Sequence, residues 1–260
     1  RARRPTTRKI MTKMKQNMRK EEKTMNKITF DKLDKMDFRS NEAYKILRTN
    51  ILFSGSRIKA IGLTSCIPGE GKTSVSINLA RAFADIGKKV VFINADMRKS
   101  VMAGRYHIKN IENGLSHYLS GQCLYEECLC ETNIENLYFI DAGPVPPNPA
   151  ELLGSEQFAE LMVNCRRDFD YIIIDTPPLG SVIDSAIVAK QLDGVALVME
   201  NNKISYKFAQ KVKEQLEQSN CRILGVIINK VESGKKGYYG KYYGKYYGKY
   251  YGVYNNGDED

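Results

Sequence analysis

Between residues 58 and 230 the chain alternates short apolar runs with longer stretches of helical periodicity. The runs are IKAIGLTS (58–65), KVVFINA (89–95), LYFIDA (137–142), YIIIDTPP (171–178), GVALVME (194–200) and RILGVIINK (222–230). Each is rich in Val, Ile and Leu and nearly continuous, which is the pattern of strands covered on both faces. Separated by helical sequence, they predict an α/β fold: a mainly parallel sheet with helices on both faces. The first run leads through a glycine-rich turn into GKTSVSINLARAFADIG (71–87), a predicted helix with Gly87 at its C-terminal cap. Upstream, SNEAYKILRTNILFS (40–54) sets Ala43, Ile46, Leu47 and Ile51 on one helical stripe, with Ser40 as the predicted N-cap.

The two ends follow neither pattern. Residues 1–36 are polar, rich in Met and Lys and weakly periodic, and they read as a mobile basic arm. Residues 1–23 hold ten Lys or Arg against two Glu, so +8 of the formal net charge of +10 sits there. An arm of this kind attracts anionic lipid, nucleic acid or an acidic partner. At the other end, GYYGKYYGKYYGKYYGVY (237–254) carries nine of the sixteen tyrosines: Tyr238, Tyr239, Tyr242, Tyr243, Tyr246, Tyr247, Tyr250, Tyr251 and Tyr254. A helix there would place Gly at every fourth residue, each costing ~1 kcal/mol relative to Ala. A strand would lack a β-branched face to bury. The expectation is an extended, disordered tail with exposed phenols. The chain then divides into an arm (1–36), a folded domain (37–232) and a Tyr/Gly/Lys-rich tail (233–260).

With 260 residues, 42% of them apolar, the chain has material for one α/β domain with a proper core. Its six cysteines lack the paired spacing of a zinc site, and His107 and His117 are the only histidines, so reduced thiols are expected. No apolar run approaches the ~20 residues that span a bilayer. The basic N-terminus has no apolar segment of the secretory type. The expected location is the cytoplasm, with any membrane attachment peripheral or through a partner. Tyrosines can stack on bases and Lys can meet phosphates, but the strand-and-helix core serves no purpose in that reading, and no nucleic-acid partner is expected.

The chemistry concentrates at the ends of the apolar runs. TSCIPGEGKTS (64–74) lies between the first run and its helix. In it Pro68, Gly69, Glu70, Gly71, Lys72, Thr73 and Ser74 form a candidate nucleotide-binding loop. Gly69 and Gly71 let the backbone turn tightly and aim its N–H groups inward. The helix start that follows offers unpaired N–H groups and a partial positive dipole. Lys72 is expected as an exposed cation for the outer phosphates, and the Thr73 hydroxyl as a ligand of Mg²⁺. The pattern departs from G-x-x-x-x-G-K-[ST] at its first position, where Cys66 stands. Asp175 ends an apolar run where an unpaired carboxylate would be costly; facing a phosphate-bound metal it is satisfied. Asp96, in FINADMRKS, either holds metal or orients an incoming hydroxyl together with Arg98, or forms an ion pair with Arg98 at a turn.

PGEGKT, FINADMR and YIIIDTPP together resemble the Walker A, A′ and B motifs of the bacterial protein tyrosine kinases, the P-loop kinases of capsule and exopolysaccharide synthesis. The resemblance extends to NEAYKILRTNI, to PPNPAELL (146–153) and to the tyrosine cluster. It implies a P-loop NTPase-like fold and an ATP- and Mg²⁺-dependent tyrosine kinase that phosphorylates its own C-terminal tyrosines in trans. Lys72, Asp96, Asp175 and Arg98 would be catalytic, and Thr73, Asp96 and Asp175 would hold Mg²⁺. Glu42, Lys45 and Arg48 match the family's ring-forming E-x-x-R-x-x-R element, which implies a homo-oligomeric ring. A membrane adaptor of the polysaccharide co-polymerase type would activate the kinase at the inner face of the membrane.

Two positions depart from the family. Asn94 replaces the first Asp of D-x-D-x-R, and an amide cannot ionise or act as a base. Slow transfer, accelerated by Asn94→Asp, is the expectation. Lys45 replaces an Arg and loses its bidentate fork, so a looser ring is expected. The alternatives are a weakly active or inactive ATP-binding scaffold of the polysaccharide machinery and a MinD/ParA-like ATPase switch. The switch proteins carry a second Lys in K-G-G-x-x-K, where this chain has Ile67, Pro68 and Gly69.

Overall fold

A computed structural model describes residues 25–33, 36–100, 102–109 and 111–231. Its eight strands are β1 (Asn26–Ile28), β2 (Ala60–Ser65), β3 (Val90–Asn94), β4 (Cys130–Thr132), β5 (Leu137–Ile140), β6 (Tyr171–Asp175), β7 (Gly194–Glu200) and β8 (Ile223–Asn229). They form one sheet in the order β1-β4-β5-β3-β6-β2-β7-β8. Every pairing is parallel except β4 with β5. All the apolar runs read from the sequence are strands. The helices are α1 (Phe38–Phe53), α2 (Lys72–Ala84), α3 (Met102–Tyr106), α4 (Leu115–Leu119), α5 (Tyr125–Cys128), α6 (Pro149–Leu153), α7 (Glu156–Asp168), α8 (Asp184–Ala189) and α9 (Tyr206–Glu217).

The continuous apolar runs have the physical cause expected of them. In β3, Val90 and Phe92 pack with Val75, Leu79 and Phe83 of α2 and Ile51 of α1. Val91 and Ile93 point the other way, to Phe158, Leu161 and Cys165 of α7 and Leu115 of α4. On β7, Val195 and Leu197 are covered by Val212 and Leu216 of α9. With helices on both faces, a polar residue inside a central strand would lose its water on either side. Among the described residues no helix is long and apolar enough to cross a membrane.

Three local expectations are corrected. The folded body begins before residue 37. Within the segment read as an arm, β1 pairs in parallel with β4, Asn26 opposite Cys130. Ile28 and Phe30 are both 3% exposed. The Phe30 ring meets Phe139 at 5.4 Å and Tyr106 at 6.1 Å between centroids. A three-residue edge strand with two apolar anchors leaves little periodicity in a Lys-rich stretch. Secondly, α1 is capped by Asp37, whose carboxylate accepts the Ser40 N–H at 2.7 Å, so Ser40 lies inside the helix. Thirdly, the C-cap of α2 is Asp85, two residues before the expected Gly87. Gly87, at φ +75°, lies beyond that cap and closes the turn by donating its N–H to the Ala84 carbonyl at 2.9 Å. The rest of the arm and the tyrosines of the tail lie outside the described residues.

The parallel arrangement sends the carboxyl ends of β2, β3 and β6 to one edge. There Asn94 pairs in register with Asp175, and Asp175 with Leu63, just before the glycine-rich loop. Crevices at this edge are where open α/β sheets bind ligands.

Phe30→Ala is expected to cost about 3 kcal/mol, the price of emptying a buried aromatic position. It is read as a lower urea midpoint at unchanged slope. An arm that did not pack on the sheet would leave the midpoint where it is.

Candidate active site

The loop from Cys66 to Gly71 is held from inside and from behind. Glu70 is fully buried. One of its oxygens accepts the N–H groups of Cys66 (2.7 Å) and Ile67 (2.9 Å), and the other accepts that of Glu200 at 3.1 Å. From the end of β8, Asn229 donates its amide to the Glu70 carbonyl at 2.8 Å. Lys230 reaches the Gly69 carbonyl at 2.7 Å and Glu200 at 3.0 Å. Gly71, at φ +85°, could not carry a side chain: a Cβ would fall 2.1 Å from Asn229 Nδ2. Cys66 occupies the place of the usual first glycine as a buried thiol, pushed up to about 11 by burial and then by the Glu70 charge, and is therefore unreactive. Pro68 and Gly69 face solvent.

Behind this loop α2 starts without a side-chain cap, so its first-turn N–H groups, with Ser74 among the residues of that turn, are open to an anion. Its charged heart is Asp175, 1% exposed. One oxygen of Asp175 receives Lys72 Nζ at 2.8 Å and lies 2.9 Å from the Ser76 hydroxyl; the other receives the Thr73 hydroxyl at 2.7 Å. Lys72 is only 6% exposed. The expected free cation is instead half of a buried ion pair, because its helix directs it onto the neighbouring strand end. Ser76 was missed, although its place four residues after Lys72 puts both on one helix face.

Asp96 stands at the rim, with its carboxylate 3.9 Å from Lys72 Nζ. Burial pushes its carboxyl above the ordinary range, against the pull of Lys72. The alternative reading, an ion pair between Asp96 and Arg98 at the turn, does not form. Arg98 turns its fork to Asp184 at the start of α8, with bonds of 2.8 and 2.9 Å. Asp184 is fully buried, and an unpaired charge there would be expensive. An acid inside the apolar stretch SVIDSAIVA was its sequence signal. Asn94 donates to Ser100 Oγ at 2.8 Å and to Asp141 at 3.3 Å. Asp141 ends the LYFIDA run much as Asp175 ends YIIID, a parallel that the sequence reading passed over.

The donor set fits a metal–nucleotide pair. Two carboxylates and a hydroxyl, from Asp96, Asp175 and Thr73, are the hard oxygen ligands that Mg²⁺ takes. An uncapped helix start with a Lys beside it is a phosphate site. Glu42, Lys45 and Arg48 lie on α1, away from this cluster. Glu42 and Lys45 pair with each other at 2.7 Å, and Arg48 donates to the Ala82 carbonyl of α2 at 2.7 Å.

Known proteins place this geometry in context. A family model described as AAA domain matches residues 58–223. The chain is 44% identical over 210 residues to tyrosine-protein kinase CpsD of Streptococcus pneumoniae, covering 79% of this chain and 92% of that protein. It is 38% identical over 206 residues to tyrosine-protein kinase YwqD of Bacillus subtilis strain 168, covering 77% and 86%. Among solved structures it is similar to the kinase domain of Escherichia coli tyrosine kinase ETK, with a TM-score of 0.69 at 30% identity, covering 76% of this chain and 79% of that one. The chimerical protein CapA2B2 gives 0.71 at 34%, covering 74% and 85%. The septum site-determining protein MinD of Pyrococcus horikoshii OT3, solved with Mg-ADP, gives 0.58 at 22%, covering 68% and 72%, and shares the fold.

Lys72→Met is expected to destabilise the nucleotide-free protein by about 3 kcal/mol, because removing one partner of a buried pair strands the other charge. A thermal midpoint equal to the parent's, measured without nucleotide, would show that Lys72 does not neutralise Asp175 in solution. Adding Asp175→Asn to Lys72→Met should recover much of the loss.

Proposed function

This chain belongs to the bacterial tyrosine-protein kinases, and we propose that it transfers the γ-phosphoryl group of ATP to its own C-terminal tyrosines in trans, as a regulator of capsular or exopolysaccharide synthesis and export. The observation that carries this reading is the cluster of Lys72, Thr73, Asp96 and Asp175 at an uncapped helix start.

The residues take their roles from where they stand. The N–H groups of Gly71, Lys72, Thr73 and Ser74 and the Lys72 ammonium would hold the phosphates, while Pro68, Gly69 and Glu70 shape the loop. Thr73, Asp96 and Asp175 would hold Mg²⁺, which when bound neutralises charge on the outer phosphates. Asp175 engages both Lys72 and Thr73, so the two groups are kept in place beside the phosphate site. At the rim, 3.9 Å from Lys72 Nζ, the Asp96 carboxylate would also orient an incoming phenol. Phosphoryl transfer rests mainly on positioning and charge stabilisation, and Arg98 contributes by pinning the segment after β3 to Asp184.

Acceptors would be Tyr238, Tyr239, Tyr242, Tyr243, Tyr246, Tyr247, Tyr250, Tyr251 and Tyr254. Each phosphate adds about −1.5 to −2 charges, enough in number to reverse the sign of a tail that carries Lys235, Lys236, Lys241, Lys245 and Lys249. A tail that docks in a neighbour's site before modification and leaves after it would switch assembly. Glu42, Lys45 and Arg48 would face the neighbouring subunit of a ring, and a membrane adaptor of the polysaccharide co-polymerase type would recruit and activate the kinase at the inner face of the membrane.

Mixing two forms separates transfer in trans from transfer within one chain. A chain ending at residue 232 supplies the active site, and the full chain with Lys72→Met supplies the tail. With Mg-ATP, phosphotyrosine is expected on the Lys72→Met chain, at residues 238–254, by mass spectrometry. Label that appears only when tail and Lys72 share one chain would sink the trans mechanism; no phosphotyrosine in the parent would sink the tail as substrate.

A further inference from the structure

One strand beyond β3, the carboxyl edge of the sheet holds an acid to which the transfer chemistry assigns no part. Asp141 follows the end of β5 and is 8% exposed. One of its oxygens accepts the Gly143 N–H at 3.2 Å, and the other faces the Asn94 amide nitrogen at 3.3 Å. With its NH₂ group committed to Asp141 and to Ser100, Asn94 turns its oxygen the opposite way. That oxygen accepts the backbone N–H of Asp96 at 3.3 Å. Asp96 then accepts the Lys99 N–H at 3.2 Å, which closes the turn that sets its carboxylate toward Lys72.

The direction of this relay is chemically determined. An ionised carboxylate only accepts hydrogen bonds, whereas an amide side chain has one end that donates and one that accepts. Asp141 therefore decides which end of Asn94 meets Asp96. A reversed amide would set a donor against the Asp96 N–H and turn an acceptor toward the Asp141 oxygen that faces it.

We propose that Asp141 is a positioning residue of the transfer site: through Asn94 it holds the turn that carries Asp96, and position 94 must be an amide for as long as position 141 is a carboxylate. The inference rests on the reading of Asp96 as a group of the transfer site. It reverses the expectation drawn from the sequence, in which Asn94 was a lost acid that Asn94→Asp would restore. In this fold that change sets two carboxylates face to face where an amide donor met an acceptor. Asp141 also borders an open cavity of about 330 Å³ with Ile108, His117 and Pro144, so replacements there have room.

The test is a cycle of Asn94→Asp, Asp141→Asn and the double variant in the full chain, with Asp141→Leu beside it. Single-turnover loss of γ-phosphate, phosphotyrosine, nucleotide Kd, thermal midpoint and exchange of the Asp96 amide are measured. Asn94→Asp and Asp141→Leu are expected to slow phosphate loss roughly 10- to 100-fold, the usual cost of losing a partner that orients a ligand, with nucleotide Kd little changed. Asp141→Asn, whose amide oxygen still accepts from Asn94, slows less than Asp141→Leu. The double variant exchanges donor and acceptor and should return to within about threefold of the parent, as coupled neighbours do. In Asp141→Leu the Asp96 N–H should exchange at least ~10-fold faster, a readout that needs no turnover. The proposal is overturned by Asn94→Asp at or above the parent rate, by a double variant no faster than Asn94→Asp, or by unchanged Asp96 exchange in Asp141→Leu. A parent that consumes γ-phosphate without labelling its tail would refute the tail as substrate and leave the cycle readable from phosphate loss.

Discussion

The Asp175 carboxylate, buried at the end of a central strand, is the constraint on which the site depends. A charge there is expensive unless it is fully paired, and its partners Lys72, Thr73 and Ser76 all come from α2. The helix must therefore begin where these side chains reach β6. That in turn obliges the chain to leave β2 and turn back within the few residues from Cys66 to Gly71. Gly71 can make that turn because its left-handed backbone carries no side chain against Asn229.

Support for the loop comes from a second set of buried polar contacts. Glu70 spends both oxygens on backbone N–H groups, two within the loop and one on β7. Asn229 and Lys230 then take up carbonyls on the loop's far side. Braced from both sides in this way, the loop is pre-shaped, which lowers the ordering cost of binding. The rim follows the same rule: Arg98 is fixed by Asp184, and the Asp96 turn by Asn94.

The same end of β8 that braces the loop is where the chain leaves the described body, at Val231. The approach to the tyrosines thus starts beside the phosphate site.

The sequence alone was enough for the architecture, the phosphate loop and the kinase family, since each is written in local order. Strands covered on both faces must be apolar throughout, and a loop that wraps phosphate needs its glycines, Lys and Thr at fixed spacing. Tertiary structure decided what depends on residues distant along the chain. Asn229 backs Glu70 across 159 positions, and Arg98 finds Asp184 across 86. The β1 strand exists because Cys130–Thr132 offers it an edge. Lys72 is buried, not exposed, because β6 lies under the helix that carries it. Asn94 looked like a missing acid in its own motif; beside Asp141 it is a hydrogen-bond donor. A motif records which groups are present, but the direction of a hydrogen bond is set by the group across from it, and only the packing of β5 against β3 brings that group to Asn94.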